Sequence, residues 1–179
     1  YAATSGMLVV DEAYAEFSSK RSAISLLENR PRLVISRTMS KAFAFAGVRL
    51  GYLLADPAVI DAMRLVRLPY HLSSLTQAAS IAALRNSELM LSNVSLLAQQ
   101  RERISEALES LGLEVFPSES NFVLVSGFSD PRAVFDYLVE KGLIVRKTTI
   151  ESSLRITIGT PDENDRLLEL LPEALGSLD

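Results

Sequence analysis

The stretch Arg37-Thr38-Met39-Ser40-Lys41-Ala42-Phe43-Ala44-Phe45-Ala46-Gly47-Val48-Arg49-Leu50-Gly51-Tyr52 decides the reading of this chain. It brings a primary amine, two hydroxyls and two arginines into one short segment. Upstream, the apolar run Met7-Leu8-Val9-Val10 ends in Asp11-Glu12-Ala13-Tyr14. A carboxylate and a phenol therefore stand at the end of a strand, and ligand sites in open α/β sheets lie beyond the carboxyl ends of strands.

Working outward, Met7–Val10 reads as a short buried strand, Leu33–Ser36 as a second after the breaker Pro31, and Gly51–Ala55 as a third. Asp56-Pro57 has the form of an N-cap followed by proline at the first helical position, opening a helix to about Leu65. Ser73 or Ser74 caps a second helix, to about Asn86. Leu91, Val94, Leu97, Arg101, Ile104, Leu108 and Leu111 keep helical spacing up to Gly112. Beyond it, Glu114–Phe116, Asn121–Val125, Leu143–Arg146 and Leu154–Ile158 read as strands. Asp130-Pro131 opens a helix to about Lys141, closed by Gly142. Thr160-Pro161-Asp162-Glu163 is a capping box that opens a last helix to about Leu175. The pattern predicts an α/β protein in two parts: residues 1–89 from a layered α/β domain and residues 90–179 as a smaller α+β domain.

Composition narrows the function. The chain has 179 residues, 48% of them hydrophobic, enough for a substantial core. A net charge of −4 with no long basic run argues against a nucleic-acid partner. No apolar run reaches the ~20 residues that a membrane-spanning helix needs. The absence of cysteine excludes disulfides and thiolate metal sites and fits a cytoplasmic protein. The start at Tyr1, running straight into a strand without an initiator methionine, reads as a piece of a longer protein, with a processed mature chain as the alternative.

Taken one by one, these residues have ordinary readings: a surface lysine, a polar turn, internal salt bridges. Together they suit pyridoxal phosphate, which needs an amine for a Schiff base, donors for its phosphate and an acid facing its ring nitrogen. A Schiff-base lysine needs its ammonium form disfavoured. The apolar residues from Ala42 to Ala46 are expected to bury Lys41 in part, and Arg37 and Arg49 to add positive field. Gly47 and Gly51 would allow close backbone approach or relieve packing. Val9-Val10-Asp11-Glu12 also resembles the Walker B strand of an ATPase, but the chain holds no glycine-rich loop ending in Gly-Lys-Ser or Gly-Lys-Thr. His71, the single histidine, has no triad partners indicated and reads as a loop residue. Arg155 and Arg146 lie in apolar strand-like runs and each need an anionic partner, from the protein or from a substrate. No metal site is expected.

The segments Val9–Tyr14, Arg37–Tyr52, Glu119-Ser120-Asn121-Phe122 and Leu154–Thr160 together resemble the class I/II aminotransferases of the aspartate aminotransferase fold, most of all their histidinol-phosphate aminotransferase subgroup. The resemblance implies part of the fold type I large domain followed by the small C-terminal domain, and it implies pyridoxal 5'-phosphate as cofactor. Lys41 would be the catalytic lysine. Asp11 would face the pyridine nitrogen and Tyr14 the ring oxygen O3′. Thr38, Ser40 and Arg49 would bind the cofactor phosphate. Arg155 would clamp a substrate carboxylate, and Arg146 would reach the phosphate of histidinol phosphate. It further implies amino-acid and 2-oxo-acid substrates, histidine biosynthesis, and a homodimer whose sites need residues absent from this chain, so that the piece alone would be inactive. Other amino-acid aminotransferases, phosphoamino-acid decarboxylases and non-catalytic regulatory modules of the same fold are the alternatives.

Overall fold

Leu33, Val34 and Ile35 are the longest buried run in the first half of the chain, and they form the centre of its sheet. The computed structural model describes residues 1–176, so the last three residues of the expected 90–179 segment lie outside the described part. Strand β1 (Leu8–Asp11) pairs in parallel with β2 (Leu33–Thr38), and β2 pairs antiparallel with β3 (Gly51–Ala55), giving the order β1-β2-β3. The register sets Asp11 beside Ser36 and Thr38 beside Gly51. The expectation of a buried first strand needs correction. Burial alternates along β1 and Val9 is 60% exposed, because one face of the strand is covered and its pairing is to β2.

Local chemistry starts the helices where the sequence placed them. The Asp56 carboxylate accepts the Ala58 amide at 2.9 Å and opens α1 (Pro57–Val66). Of the two candidate serines, Ser73 is the cap: it accepts the Thr76 amide at 3.0 Å at the head of α2 (Ser74–Arg85). The long helix α3 (Ser87–Ser110) follows directly. Three short 3-10 turns, Ala15–Phe17, Ala23–Leu26 and Ala46–Val48, were not foreseen, since three or four residues show no readable period.

The chain divides into two compact units, Tyr1–Val94 and Ser95–Asp179. In the second, β4 (Glu114–Val115), β5 (Phe122–Ser126), β6 (Arg146–Lys147) and β7 (Ser153–Thr157) form an antiparallel sheet in the order β4-β5-β7-β6. Helices α4 (Pro131–Glu140) and α5 (Pro161–Gly176) pack on each other, and α4 on β6 and β7. Ile104 and Leu108 of α3, Val123 and Val125 of β5, Val134 and Leu138 of α4, and Leu171 of α5 are fully buried in this core.

Both helix exits use the same device. Gly112 and Gly142 take positive φ (83° and 80°), and the next amides, Leu113 and Leu143, return to the carbonyls of Leu108 and Leu138 at 3.2 and 2.9 Å. That turn explains a second difference from the sequence reading. Leu143–Val145 closes the helix end and buries Val145, leaving Ile144 81% exposed, so pairing with β7 begins only at Arg146.

The capping box forms as read: the Thr160 amide and hydroxyl both donate to Glu163 Oε2, at 2.8 and 3.1 Å. A Cβ placed on Gly159 would lie 2.5 Å from Glu163 Oε2 and 2.9 Å from its Cβ. Pro172 stands inside α5, where a missing N–H and a ring clash cost about 3 kcal/mol. Leu170, Leu171 and Ala174 on either side are buried, and their packing outweighs that cost. The core makes a direct stability prediction. Leu138→Ala should lower the unfolding free energy by about 2–5 kcal/mol, read from the urea midpoint, because the side chain is wholly enclosed.

Candidate active site

Because β1 and β2 run parallel, their carboxyl ends share one edge of the sheet, and the sequence places its reactive residues there. Asp11 is the last residue of β1. Its Oδ1 accepts the Ala13 amide at 3.0 Å and the Ser36 hydroxyl at 3.2 Å, which leaves Oδ2 open among the described residues. Thr38 ends β2. Its hydroxyl accepts the Ser40 amide at 3.1 Å and has Ser40 Oγ and the Leu50 carbonyl in reach as acceptors, at 2.9 and 3.2 Å. Accepting from Thr38 leaves the Ser40 hydroxyl its own hydrogen to donate outward.

Lys41 follows in a tight turn closed by the Ala44 amide on the Lys41 carbonyl at 2.9 Å, with Ala44 at φ 54°. The expectation that the flanking apolar residues bury Lys41 is not met. Met39, Ala42 and Phe43 turn into the core, and Lys41 is exposed as a result. Its Nζ lies 5.5 Å from the centroid of the Tyr14 ring and has no ion-pair partner among the described residues. Arg49 takes a left-handed backbone (φ 58°) and commits Nη1 alone, to the Ala46 carbonyl at 3.0 Å. Gly51 is needed for close approach, since a Cβ there would sit 2.9 Å from the Arg37 carbonyl. Gly47 faces open space and has no such role.

Arg37 does not add free positive field. Its Nε and Nη2 donate to Glu12 Oε2 at 3.1 and 2.7 Å and its Nη1 to Glu16 Oε1 at 3.2 Å. Ser22 and the Ala23 amide complete the shell of Glu12, at 2.7 and 2.6 Å. Burial pushes the Glu12 carboxyl up, but hydrogen bonds from Ser22, Ala23 and Arg37, with the Arg37 charge, outweigh it and hold the group below its ordinary value. Burial likewise pulls Arg37 down and is outweighed by Glu12, Glu16 and Tyr52, which hold it above its ordinary value. The sequence reading missed this cluster. Its signal was the parallel register itself: one residue beyond the Asp11–Ser36 pair, Glu12 meets Arg37.

In the second unit the register sets Arg146 of β6 directly opposite Arg155 of β7. Side chains so paired lie on one face, and like charges there repel. Arg155 stacks on Phe122, its guanidinium carbon 4.3 Å from the ring centroid, and its buried Nε has no hydrogen-bond partner. Neither arginine has an ion pair among the described residues. Arg101, which the helical spacing put on the apolar stripe of α3, is 7% exposed and donates to the Ser120 carbonyl at 3.0 Å. Asn121 serves through its backbone, its carbonyl accepting the Ile158 amide at 2.9 Å. His71 is exposed in the loop between α1 and α2.

A family profile described as aminotransferase class I and II matches residues 2–171. The chain belongs to that family. Among curated class I and II aminotransferases, it is 56% identical to the histidinol-phosphate aminotransferase of Mycolicibacterium vanbaalenii over 91% of this chain and 44% of that protein. It is 54% identical to the one from Corynebacterium glutamicum over 95% of this chain and 47% of that protein. The crystal structure of the Sinorhizobium meliloti histidinol-phosphate aminotransferase, in complex with pyridoxal-5'-phosphate, superposes with a TM-score of 0.87 at 33% identity, over 97% of this chain and 50% of that one. The chain thus has the fold type I architecture and spans about half the length of the curated relatives it matches. Class I and II aminotransferases depend on pyridoxal phosphate, and the donor set fits that group: one free amine, an arginine with spare N–H groups, a hydroxyl with an uncommitted hydrogen and an open carboxylate oxygen.

The Glu12 cluster fixes a pH dependence. A carboxyl held low in the folded state stabilises the fold fully above its ordinary value of 4.5, and that contribution is lost as pH falls through the lowered value. Urea unfolding followed from pH 7 downward should therefore show an acid limb that Glu12→Gln flattens. The variant should be less stable at pH 7 by about 1.5–3 kcal/mol, because Arg37 loses its charged hydrogen bonds to Glu12 and keeps only Glu16 as an ion-pair partner.

Proposed function

We propose that this chain is the cofactor-lysine half of an aminotransferase that moves the amino group between histidinol phosphate and 2-oxoglutarate. The observation that carries the reading is Lys41, an unpaired amine at the strand edge that also bears Asp11, Thr38 and Ser40. The identity to histidinol-phosphate aminotransferases supports the choice of substrate. On this reading residues 1–89 are part of the large cofactor-binding domain and residues 90–179 are the small domain.

Bound here, pyridoxal phosphate supplies an aldehyde for the substrate amine and a protonated ring that withdraws electrons from Cα. The protein residues do the rest. Lys41 Nζ would hold the cofactor and, once the substrate amine has displaced it, would be free to take the Cα proton of the amino donor and to return one to Cα of the acceptor. The open Oδ2 of Asp11 holds a proton on the ring nitrogen, and the Tyr14 hydroxyl serves O3′. Thr38, Ser40 and Arg49 take the cofactor phosphate. In the second unit, Arg155 and Arg146 form a dicationic pair for the anionic end of either substrate, a carboxylate in glutamate and a phosphate in histidinol phosphate. With Arg155 half-buried, Arg146 exposed and neither in an ion pair among the described residues, such a pair gains from either anion.

The protein is proposed to act as a cytoplasmic homodimer. Leu65, Val66, Leu68, Tyr70 and Leu75 form an exposed apolar run in the first unit, 75–99% accessible, and support association through it. No helix among the described residues is long and apolar enough to cross a membrane.

The deciding experiment is near-visible spectroscopy of the whole protein with pyridoxal phosphate. Histidinol phosphate should bleach the cofactor band and 2-oxoglutarate restore it. A band indifferent to histidinol phosphate would reject the substrate, and carbon dioxide release from a phosphoamino acid would make it a decarboxylase. Lys41→Ala should abolish turnover and leave the circular dichroism spectrum unchanged. Arg155→Gln should raise KM for both glutamate and histidinol phosphate about 10–100-fold, whereas Arg146→Gln should weaken histidinol phosphate more than glutamate in steady-state assays.

A further inference from the structure

Glu12 and Glu16 stand two residues either side of Tyr14, and a single guanidinium holds both. Arg37 grips Glu12 with Nε and Nη2 and Glu16 with Nη1, while Nη2 also reaches Ser22 Oγ at 2.9 Å. All three side chains are screened from water, at 15% exposure for Arg37, 10% for Glu12 and 12% for Glu16. The loop from Glu12 to Glu16 is therefore pinned at both ends from β2. Tyr14 lies at its middle, and its ring is the surface over which Lys41 Nζ sits. Lys41 leaves the same strand that carries Arg37, four residues on. One rigid fork thus ties the loop that bears the phenol to the strand that leads into the turn bearing the amine. A lysine at position 37 would keep the charge but could not offer three N–H groups in fixed directions to two carboxylates.

We propose that Arg37 is a positioning residue. By clamping Glu12 and Glu16 together, it fixes where Tyr14 stands relative to Lys41, and so how well the pair receives the cofactor. Arg37 spends its own hydrogen bonds on protein groups and acts on the cofactor through Tyr14. The inference rests on the reading of Lys41 and Tyr14 as cofactor partners, and it adds a residue that this reading leaves outside the site.

The test is a double-mutant cycle on the whole protein, with pyridoxal phosphate dissociation and the absorbance maximum of the bound cofactor as readouts, and the urea midpoint recorded alongside. Arg37→Gln should weaken cofactor binding about tenfold, the size of one lost hydrogen bond to a charged group, and should shift the absorbance maximum. In the Tyr14→Phe background the same change should add nothing, because the hydroxyl it positions is gone. Arg37→Lys carries the same cycle if the glutamine variant fails to fold, and it should show the same coupling. Losses that simply add between Arg37 and Tyr14, or an Arg37 variant with unchanged binding and spectrum, would overturn the positioning role and leave the site reading intact. A wild-type protein that shows no cofactor band would remove both.

Discussion

The parallel register of β1 and β2 is the constraint on which the first unit depends. It pairs Leu8 with Leu33, Val9 with Val34, Val10 with Ile35 and Asp11 with Ser36, and a slip of one residue would turn every side chain of β1 to the other face. Once fixed, it decides everything at the carboxyl edge. Asp11 falls beside Ser36, whose hydroxyl holds one carboxylate oxygen, and Glu12 falls beside Arg37. The third strand is held to the same standard, because β3 approaches the Arg37 carbonyl so closely that position 51 has no room for a side chain.

The arginines divide into two electrostatic kinds. Arg37 and Arg101 are enclosed and hydrogen-bonded to protein acceptors, as buried charges must be. Arg155 and Arg146 are placed against each other with no ion pair among the described residues, and the Phe122 ring face offsets only part of the repulsion. That contrast is what supports the proposed role of the facing pair in receiving an anionic substrate group.

What was legible in the sequence was mostly local. Asp56-Pro57, Ser73, Asp130-Pro131 and Thr160 with Glu163 each start a helix through hydrogen bonds that span two or three residues, so the cap is written in adjacent letters. Gly51–Ala55 could be read because its breakers flank it. The errors came where tertiary context decides. The apolar run Leu143–Val145 looked like strand and serves as a helix closure. Lys41 looked half-buried because its neighbours are apolar, yet those neighbours take the core and turn the amine outward. Glu12 and Arg37 are 25 residues apart, and no local pattern announces a bond across that distance. The lysine segment itself was legible as chemistry, because its donors are consecutive in the chain.

Gly159 illustrates a different kind of requirement. Its backbone is not left-handed, so nothing about its own conformation demands glycine. The demand comes from Glu163, whose capping carboxylate and Cβ occupy the space a side chain at 159 would need. The two positions are therefore bound as a pair during divergence. A lineage that loses the glutamate of the capping box becomes free to replace the glycine, while one that replaces the glycine first meets a clash and a lost cap together. Substitution order along this segment has a preferred direction, imposed by one carboxylate resting on one hydrogen atom.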